Sequence, residues 1–398
     1  MVTKLSETEQ KIQALEKQLE ELVGESAAND ALRTRLLNIA ERTAEATRLP
    51  GEYLWRMVVR PHEYAVLRVA LELDLPRLFH ENSEWTTAQL AAKTGADEKL
   101  IVRLMRTLAA MNVFMETASH TYCSAPVSDF LAQDKQMADT VKFMWDVVGK
   151  AVFCLPAYLA QIQHQDLPSA PGAWRLAFGN GTDFFSYIAH DERLMDQFHN
   201  MMAVQRFRRP DWFDVYHVQE NMVARYDASI SNVMLVDIGG SRGHELQKFK
   251  TKFPCALGKL VLQDLGHVIE GADGLETSGI MKMQYDFFTP QPVKGAQVYY
   301  MRSILHDWDD DKCRAILSNI VSAMRKGYSR LIINDWVLPD TGARLYPCMQ
   351  DINMMALFSA MERSESHFVS LVESVGLKVV RIWGSPEAER CIETMLPE

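Results

Sequence analysis

The feature that most constrains this chain is a short apolar run ending in an acid and a cluster of glycines. It reads Val233-Met234-Leu235-Val236-Asp237-Ile238-Gly239-Gly240-Ser241-Arg242-Gly243-His244. The run has the length of a buried strand, and helical spacing follows it over 244–252. Glycines at such a junction let the backbone turn sharply and approach a ligand closely. Four more strand-like runs follow at 260–264, 297–301, 330–335 and 377–383, with helical segments at 309–325 and 364–375 between them. Alternation of this kind predicts an α/β domain, a mostly parallel sheet with helices on both faces.

The ends of these strands carry the chemistry. Gly239, Gly240 and Gly243 do not spell the dinucleotide fingerprint G-x-G-x-x-G. An acid before the glycines would repel a pyrophosphate, whereas Asp237 can accept from an amine or hydroxyl, so a cationic or zwitterionic nucleoside suits the loop better. Asp264 ends the second run about twenty residues after the last glycine, where an acid meets ribose hydroxyls. Asp286 precedes Phe287 and could meet an adenine amino group, with Phe287 against the ring. In open α/β sheets ligands bind at the carboxyl ends of the strands. His306, after the third run, has the intrinsic pKa of a general base near neutral pH. Asp335 or Glu362 could hold its imidazole by hydrogen bonding. Asp309, Asp310 and Asp311 suit a helix N-terminus, and no ligand spacing supports a metal.

Upstream the pattern is helical. Over 5–23, Leu5, Ile12, Leu15, Leu19 and Leu22 recur at seam spacing, and Ser6 with Glu9 has capping-box spacing. This is either an amphipathic helix on a neighbour or a contact with a partner chain. A second helix spans about 30–47 and breaks at Leu49-Pro50-Gly51; a third covers 61–80. A helix from Thr86 or Thr87 to Gly95, another from Glu98 to Met111 and a hairpin over 112–123 make a winged-helix pattern. Lys99, Arg103 and Arg106 on its candidate recognition helix are offset by Asp97 and Glu98. Residues 126–230 are mostly helical and rich in aromatics and methionine, including Phe184, Met201, Met202 and Phe207; such a wall is core or an adaptable apolar pocket. The stretch 167–172 reads as a loop. Arg206, Arg208 and Arg209 read as a solvated basic helix end before Pro210.

Composition narrows the function classes. The chain has 398 residues, 47% hydrophobic, with a net charge of −10. Disorder is excluded, and a nucleic-acid partner is not expected. No run of about 18 apolar residues is present, so no membrane span is expected. Six scattered cysteines without C-x-x-C pairs suit reduced thiols in a cytoplasmic enzyme.

Residues 61–390 resemble the class I S-adenosylmethionine-dependent O-methyltransferases of the plant caffeate and fungal polyketide type. The matching pieces are Leu235 to His244, Leu260 to Leu265, Tyr285 to Phe288, Tyr299 to Trp308, and Glu362 to Glu365 with Gly376-Leu377. The resemblance implies a Rossmann-like catalytic domain over 231–398, preceded by N-terminal helices (1–50), a winged-helix dimerisation domain (51–132) and a helical pocket region (133–230). It implies that S-adenosylmethionine is held by Asp237, Gly239, Gly240, Asp264, Leu265, Asp286, Phe287 and Arg302. It makes His306 the base, with Asp335 and Glu362 flanking it, and the assembly a homodimer. Phe184, Met201, Met202, Arg206 and Met355 are then expected against a flat, apolar acceptor, an aromatic or polyketide small molecule. Three departures stand out. Ser241 replaces a usual glycine, Lys326-Gly327 replaces Pro-Gly, and Asp335 is one methylene shorter than the usual Glu, which weakens its reach to His306. Two rival readings follow: a relative using the bound cofactor as a fixed charge for a dehydration or pericyclic reaction, and a cofactor-sensing DNA regulator, which the acidic balance disfavours.

Overall fold

A computed structural model describes residues 7–397 apart from 27–28, 166, 168–171, 182, 207–208, 273, 276–277 and 387. Leu5, Ser6, most of the 167–172 loop, Phe207 and Arg208 lie outside the described residues. The chain divides into two compact units, Met1–Ser128 and Asp129–Glu398.

The first unit opens with three helices, α1 (Glu7–Ser26), α2 (Asp30–Thr47) and α3 (Pro50–Glu72). Asn29 caps α2 by accepting from the Leu32 amide. The Leu49-Pro50-Gly51 break is also a start. Pro50 opens α3 at a position whose missing N–H costs nothing, so the third helix begins well before residue 61. It ends at Glu72, and α4 (Leu75–Glu81) follows. Next come β1 (Glu84–Thr86), α5 (Thr87–Thr94), α6 (Glu98–Ala110), β2 (Phe114–Ala118) and β3 (Thr121–Ser124). Thr86 and Gln89 form a capping box at the start of α5, and Gly95 ends it at φ +74°. Asp97 caps α6, whose buried face is Ile101, Leu104, Met105 and Leu108. The hairpin β2–β3 gains a third strand, β1, antiparallel to β3. At three residues, merging into a helix cap, β1 leaves no periodicity to read.

The second unit is built on a seven-stranded sheet. Its strands are β4 (Val233–Ile238), β5 (Lys259–Asp264), β6 (Ile280–Gln284), β7 (Val298–Arg302), β8 (Arg330–Asp335), β11 (Lys378–Trp383) and β12 (Arg390–Met395). A separate two-residue pair, β9 (Val337–Leu338) and β10 (Arg363–Ser364), runs parallel. The sheet order is β11-β12-β8-β7-β4-β5-β6. Pairs from β8 to β6 are parallel, and β12 is antiparallel to both neighbours. The order reverses between β4 and β7, the switch point at which such sheets bind ligands. Alternate side chains go to opposite faces: Val236, Ile238, Tyr299, Met301, Leu331 and Ile333 join one core cluster, while Leu235, Leu262, Tyr300 and Ile332 join the other.

Two strands went unread. β6 is an edge strand with one buried residue at its start. β12 buries Arg390, Glu393 and Thr394, so its sequence lacks an apolar run. Glu393 survives there by accepting from the Tyr216 hydroxyl and the Trp383 indole.

A third cluster is helical and aromatic. The continuous helical run Lys135–Gln161, which includes a π-turn at Met144–Gly149, is long and apolar enough to cross a membrane by length and composition. Its residues Phe143, Val147, Val148, Ala151, Leu155 and Tyr158 nonetheless pack in this cluster. Phe184 sits at the centre, its ring 5.1–6.2 Å from those of Phe143, Trp174, Phe198 and Phe358. It is 2% exposed, and Met201 is also buried, while Met202 and Met355 are partly buried at the edge. Phe184 and Met201 are therefore core residues rather than pocket lining. Phe184→Ala should cost about 3–5 kcal/mol of stability, read as a fall in Tm. The half-exposed Phe185→Ala should cost far less. A Phe184→Ala variant with unchanged Tm and a raised acceptor KM would return Phe184 to the pocket wall.

Candidate active site

The glycine loop is shaped by the end of β4. The Gly239 and Gly240 amides donate to the Gln263 carbonyl at 2.8 and 3.2 Å, and the Gly243 amide donates to the Gly240 carbonyl at 2.9 Å. Gly239 has φ +71°, and a Cβ on Gly240 would lie 2.5 Å from Asp237 Oδ2. Ser241 keeps the glycine-like backbone at φ +53°, a conformation that costs a non-glycine residue about 1–3 kcal/mol. Its amide donates to Asp264 Oδ2 at 2.8 Å, and the Leu265 amide to Asp264 Oδ1 at 2.7 Å. A carboxylate has about four lone-pair sites, so two remain for ligand hydroxyls.

Asp237 is 1% exposed, and its Oδ2 has no hydrogen-bond partner among the described residues. Burial, with Glu245 and Asp264 adding to it against Arg206 and Arg302, pushes its pKa up to about 8. A cationic group beside it would reverse that. The order β4-β5-β6 sets Asp237 and Asp264 at neighbouring strand ends, with Asp286 just beyond the third. Asp286 is exposed and accepts from the Phe288 amide at 2.9 Å. The Phe287 ring reaches within 3.9 Å of where a Cβ on Gly239 would sit. Leu265 is half-exposed at the start of the next helix.

On the other side of β4, β7 leads into a 3₁₀ turn, Leu305–Asp307, that carries His306. Its Nδ1 lies 2.9 Å from Glu362 Oε1, and its Nε2 lies 3.5 Å from Asp307 Oδ1. Burial lowers the pKa of His306, but Glu362, Asp307 and Asp335 together outweigh it and raise it to about 10. Asp335 is buried with neither oxygen bonded among the described residues, and burial pushes it up to about 7. It therefore does not orient the imidazole; the missing methylene has the consequence expected of it, and Glu362 alone makes the bond. Asp309 caps the helix Asp310–Val321 by accepting from the Lys312 amide.

The turn itself is held by Arg363, whose side chain is fully buried. It donates to the Leu305 carbonyl at 2.8 Å, the Trp308 carbonyl at 2.7 Å and Asp310 Oδ1 at 2.9 Å. Sequence reasoning missed Arg363 and Asp307, although both adjoin residues it selected.

The arginines behave differently from expectation. Arg206 pairs with Glu245 at 2.7 Å, and Arg209 pairs with Glu389 at 3.1 Å while stacking 4.7 Å over Trp336. Arg302 pairs with Glu389 at 2.6 Å and Glu245 at 3.5 Å. Arg206 and Arg209 are thus not a solvated helix end. They and Arg302 line a small polar cavity of about 20 Å³ with Glu245, Asn334 and Glu389. Glu245 and Glu389 carry no periodic signal that would have revealed them.

The sequence matches the O-methyltransferase domain over residues 157–378 and the O-methyltransferase dimerisation domain over 62–134. The chain belongs to the O-methyltransferase family. It is similar to methyltransferase cfoC of Aspergillus candidus, 32% identical over 98% of this chain and 96% of that protein. Demethylsterigmatocystin 6-O-methyltransferase of Aspergillus parasiticus is 31% identical over 86% of this chain and 89% of its own. Among solved structures, a pericyclic reaction enzyme and LepI in complex with SAM each align with a TM-score of 0.84 at 26% identity. OxaC with SAH and oxaline aligns at 0.80 and 27%. All three cover 98% of this chain and 100% of their own. This O-methyltransferase family member uses S-adenosylmethionine, acts on a small molecule and self-associates through its dimerisation domain. The residues present fit the cofactor: an orphaned, buried carboxylate oxygen of Asp237 suits its ammonium, and Asp264 keeps lone pairs open for its hydroxyls.

Arg363→Met should destabilise the chain by about 2–3 kcal/mol, because it leaves the Leu305 and Trp308 carbonyls only the weak Cys313 thiol and leaves Asp310 only His367. Thermal unfolding tests this, and a variant as stable as the wild type would show that the turn holds itself.

Proposed function

We propose that this enzyme methylates a hydroxyl of a flat, apolar small molecule of phenolic or polyketide kind, with His306 as general base. The observation that carries the reading is the 2.9 Å contact of His306 Nδ1 with Glu362 Oε1 at the end of β7, the strand next to the glycine-loop strand. When bound, S-adenosylmethionine supplies an activated sulfonium methyl, so no metal is required. In this reading Asp237 holds its ammonium, Asp264 its ribose hydroxyls, and Phe287 with Asp286 its adenine. Glu362 keeps the proton on Nδ1, which leaves Nε2 to take the acceptor's proton as its oxygen attacks. Asp307, facing Nε2, stabilises the resulting imidazolium. Phe198, Met202, Met355 and Phe358 are partly buried apolar side chains suited to a flat ring system and to excluding water. Relatives named as O-methyltransferases support transfer to oxygen.

A second reading is favoured by the charge on His306 and by similarity to a pericyclic reaction enzyme. In it the cofactor remains intact, and imidazolium and arginine charges polarise a carbonyl during a dehydration or pericyclic reaction. Methyl-labelled S-adenosylmethionine, incubated with an acceptor extract, separates the two. A labelled product that disappears with His306→Ala supports methyl transfer, whereas unlabelled conversion with intact cofactor supports the second reading.

A pH profile and two variants refine the assignment. With His306 raised to about 10, its neutral fraction climbs about tenfold per pH unit between 7 and 9. The kcat/KM for methyl transfer should climb with it. Glu362→Gln removes a charge that raises His306 and should move the climb to lower pH. A flat wild-type profile over that range would remove His306 as the titrating base. Asp237→Asn should weaken S-adenosylmethionine binding at least about tenfold, the scale of one lost charge-assisted hydrogen bond, as titration calorimetry would read.

A further inference from the structure

The N-terminal helix α1 lies outside the matched dimerisation domain, which begins at residue 62. From Thr8 through Glu25 every side chain of α1 is exposed. In proteins most helical stability comes from packing of an apolar face, and the described residues of its own chain leave that face of α1 open. Neighbouring α2 offers little, being itself exposed along most of its length.

The uncovered residues are ordered. Ile12, Leu15, Leu19 and Leu22 follow one another at intervals of three, four and three, and are 51, 55, 40 and 36% exposed. They occupy successive a, d, a and d positions of a heptad, a seam that one matching helix would fill. Ile12 at a with Leu15 at d is the pairing that favours two strands, while Leu19 holds the other a position. We propose that α1 pairs with the α1 of a second copy of this chain in a parallel, in-register two-stranded coil.

Charge decides the direction. In a parallel pair, Lys11 at position g faces Glu16 of the second copy at position e, and the contact occurs twice by symmetry. The antiparallel pair that sets Leu15 against Leu19 also brings Lys11 to Glu25 of the second copy twice, but it adds a Glu16–Glu16 like-charge contact that the parallel pair lacks. Continuity with the dimerisation domain supplies the tether. α3 begins at Pro50 and runs unbroken past residue 62, and its first turns expose Tyr53, Leu54, Trp55, Met57 and Val58. Once that domain joins two chains, their arms meet at an effective concentration in the millimolar range, where a seam of two heptads suffices.

The test uses the full-length chain with Leu15→Cys, treated with a mild soluble oxidant beside the wild type. A parallel pair places residue 15 against its own copy, so a covalent dimer should become the main species, well above the background of the six native cysteines. No excess over the wild type overturns the proposal. Cross-linking that needs Leu15→Cys and Leu19→Cys together overturns the parallel register. Leu15→Glu with Leu22→Glu keeps helix-forming residues in α1 and should raise the dimer dissociation constant about tenfold or more, measured by light scattering on dilution. An unchanged constant also overturns the proposal, because α1 would then be covered by something other than its copy.

Discussion

The site depends on one dipeptide. Glu362 and Arg363 are neighbours in the chain, and both act on the turn after β7. Glu362 holds the imidazole of His306, and Arg363 holds the backbone on either side of it through the Leu305 and Trp308 carbonyls. The short parallel bridge of β9 with β10 fixes Arg363 against Val337, just beyond the end of β8. Three segments distant in sequence therefore meet at one histidine. A fully buried guanidinium is tolerated only because carbonyls and Asp310 occupy its donors, and removing it would leave the carbonyls only the weak Cys313 thiol and Asp310 only His367. Rigidity at the base thus comes from a residue that touches no reacting atom.

The opposite half of the site is organised by charge. Asp237, Asp264, Glu245 and Glu389 stand against Arg206, Arg209 and Arg302. The arginines lie at the end of the helix Glu192–Gln205, just beyond it, and at the end of β7, while Glu245 opens the helix after the glycine loop. Ion pairs therefore tie a pocket helix to the loop that would hold the cofactor. Within this network Asp237 keeps a buried oxygen without a partner among the described residues, which makes it a point where a positive group gains.

Much of this was legible in the sequence. The β4 run, its glycines and the acids at 237 and 264 announced themselves because a buried parallel strand is a continuous apolar run and the ligand end must be polar. The heptad spacing of Ile12, Leu15, Leu19 and Leu22 was equally plain. What escaped follows a common physical cause. β12 hides its strand character because it buries Arg390 and Glu393 against partners far away in sequence, and β6 is an edge with one face free. Arg206 looked solvated because its partner, Glu245, is separated from it by two short helices, a strand and the glycine loop. Phe184 looked like pocket lining because aromatic composition is the same in a core and in a cavity wall; only burial separates them. Asp335 was expected to flank and orient His306, yet neither of its oxygens bonds among the described residues.

The surplus of carboxylates explains why one scaffold can serve two chemistries. Glu362, Asp307 and Asp335 surround His306 on one side of β4, and Asp237 and Asp264 stand on the other. Burial pushes Asp237 up to about 8 and Asp335 up to about 7, so a cationic ligand at the first and a protonated histidine near the second each favour the ionised carboxylate. Cofactor affinity therefore does not discriminate between methyl transfer and a reaction that leaves the cofactor whole. The discriminating quantity is the proton on His306. Deprotonated, its Nε2 is a base for a hydroxyl; protonated, it is a hydrogen-bond donor that polarises a carbonyl. Glu362 pulls toward the second state by the same 2.9 Å contact that orients the ring for the first. An acceptor whose hydroxyl is acidic enough to arrive partly ionised would need less from the base, and that chemistry matches a phenol or an enol better than an aliphatic alcohol.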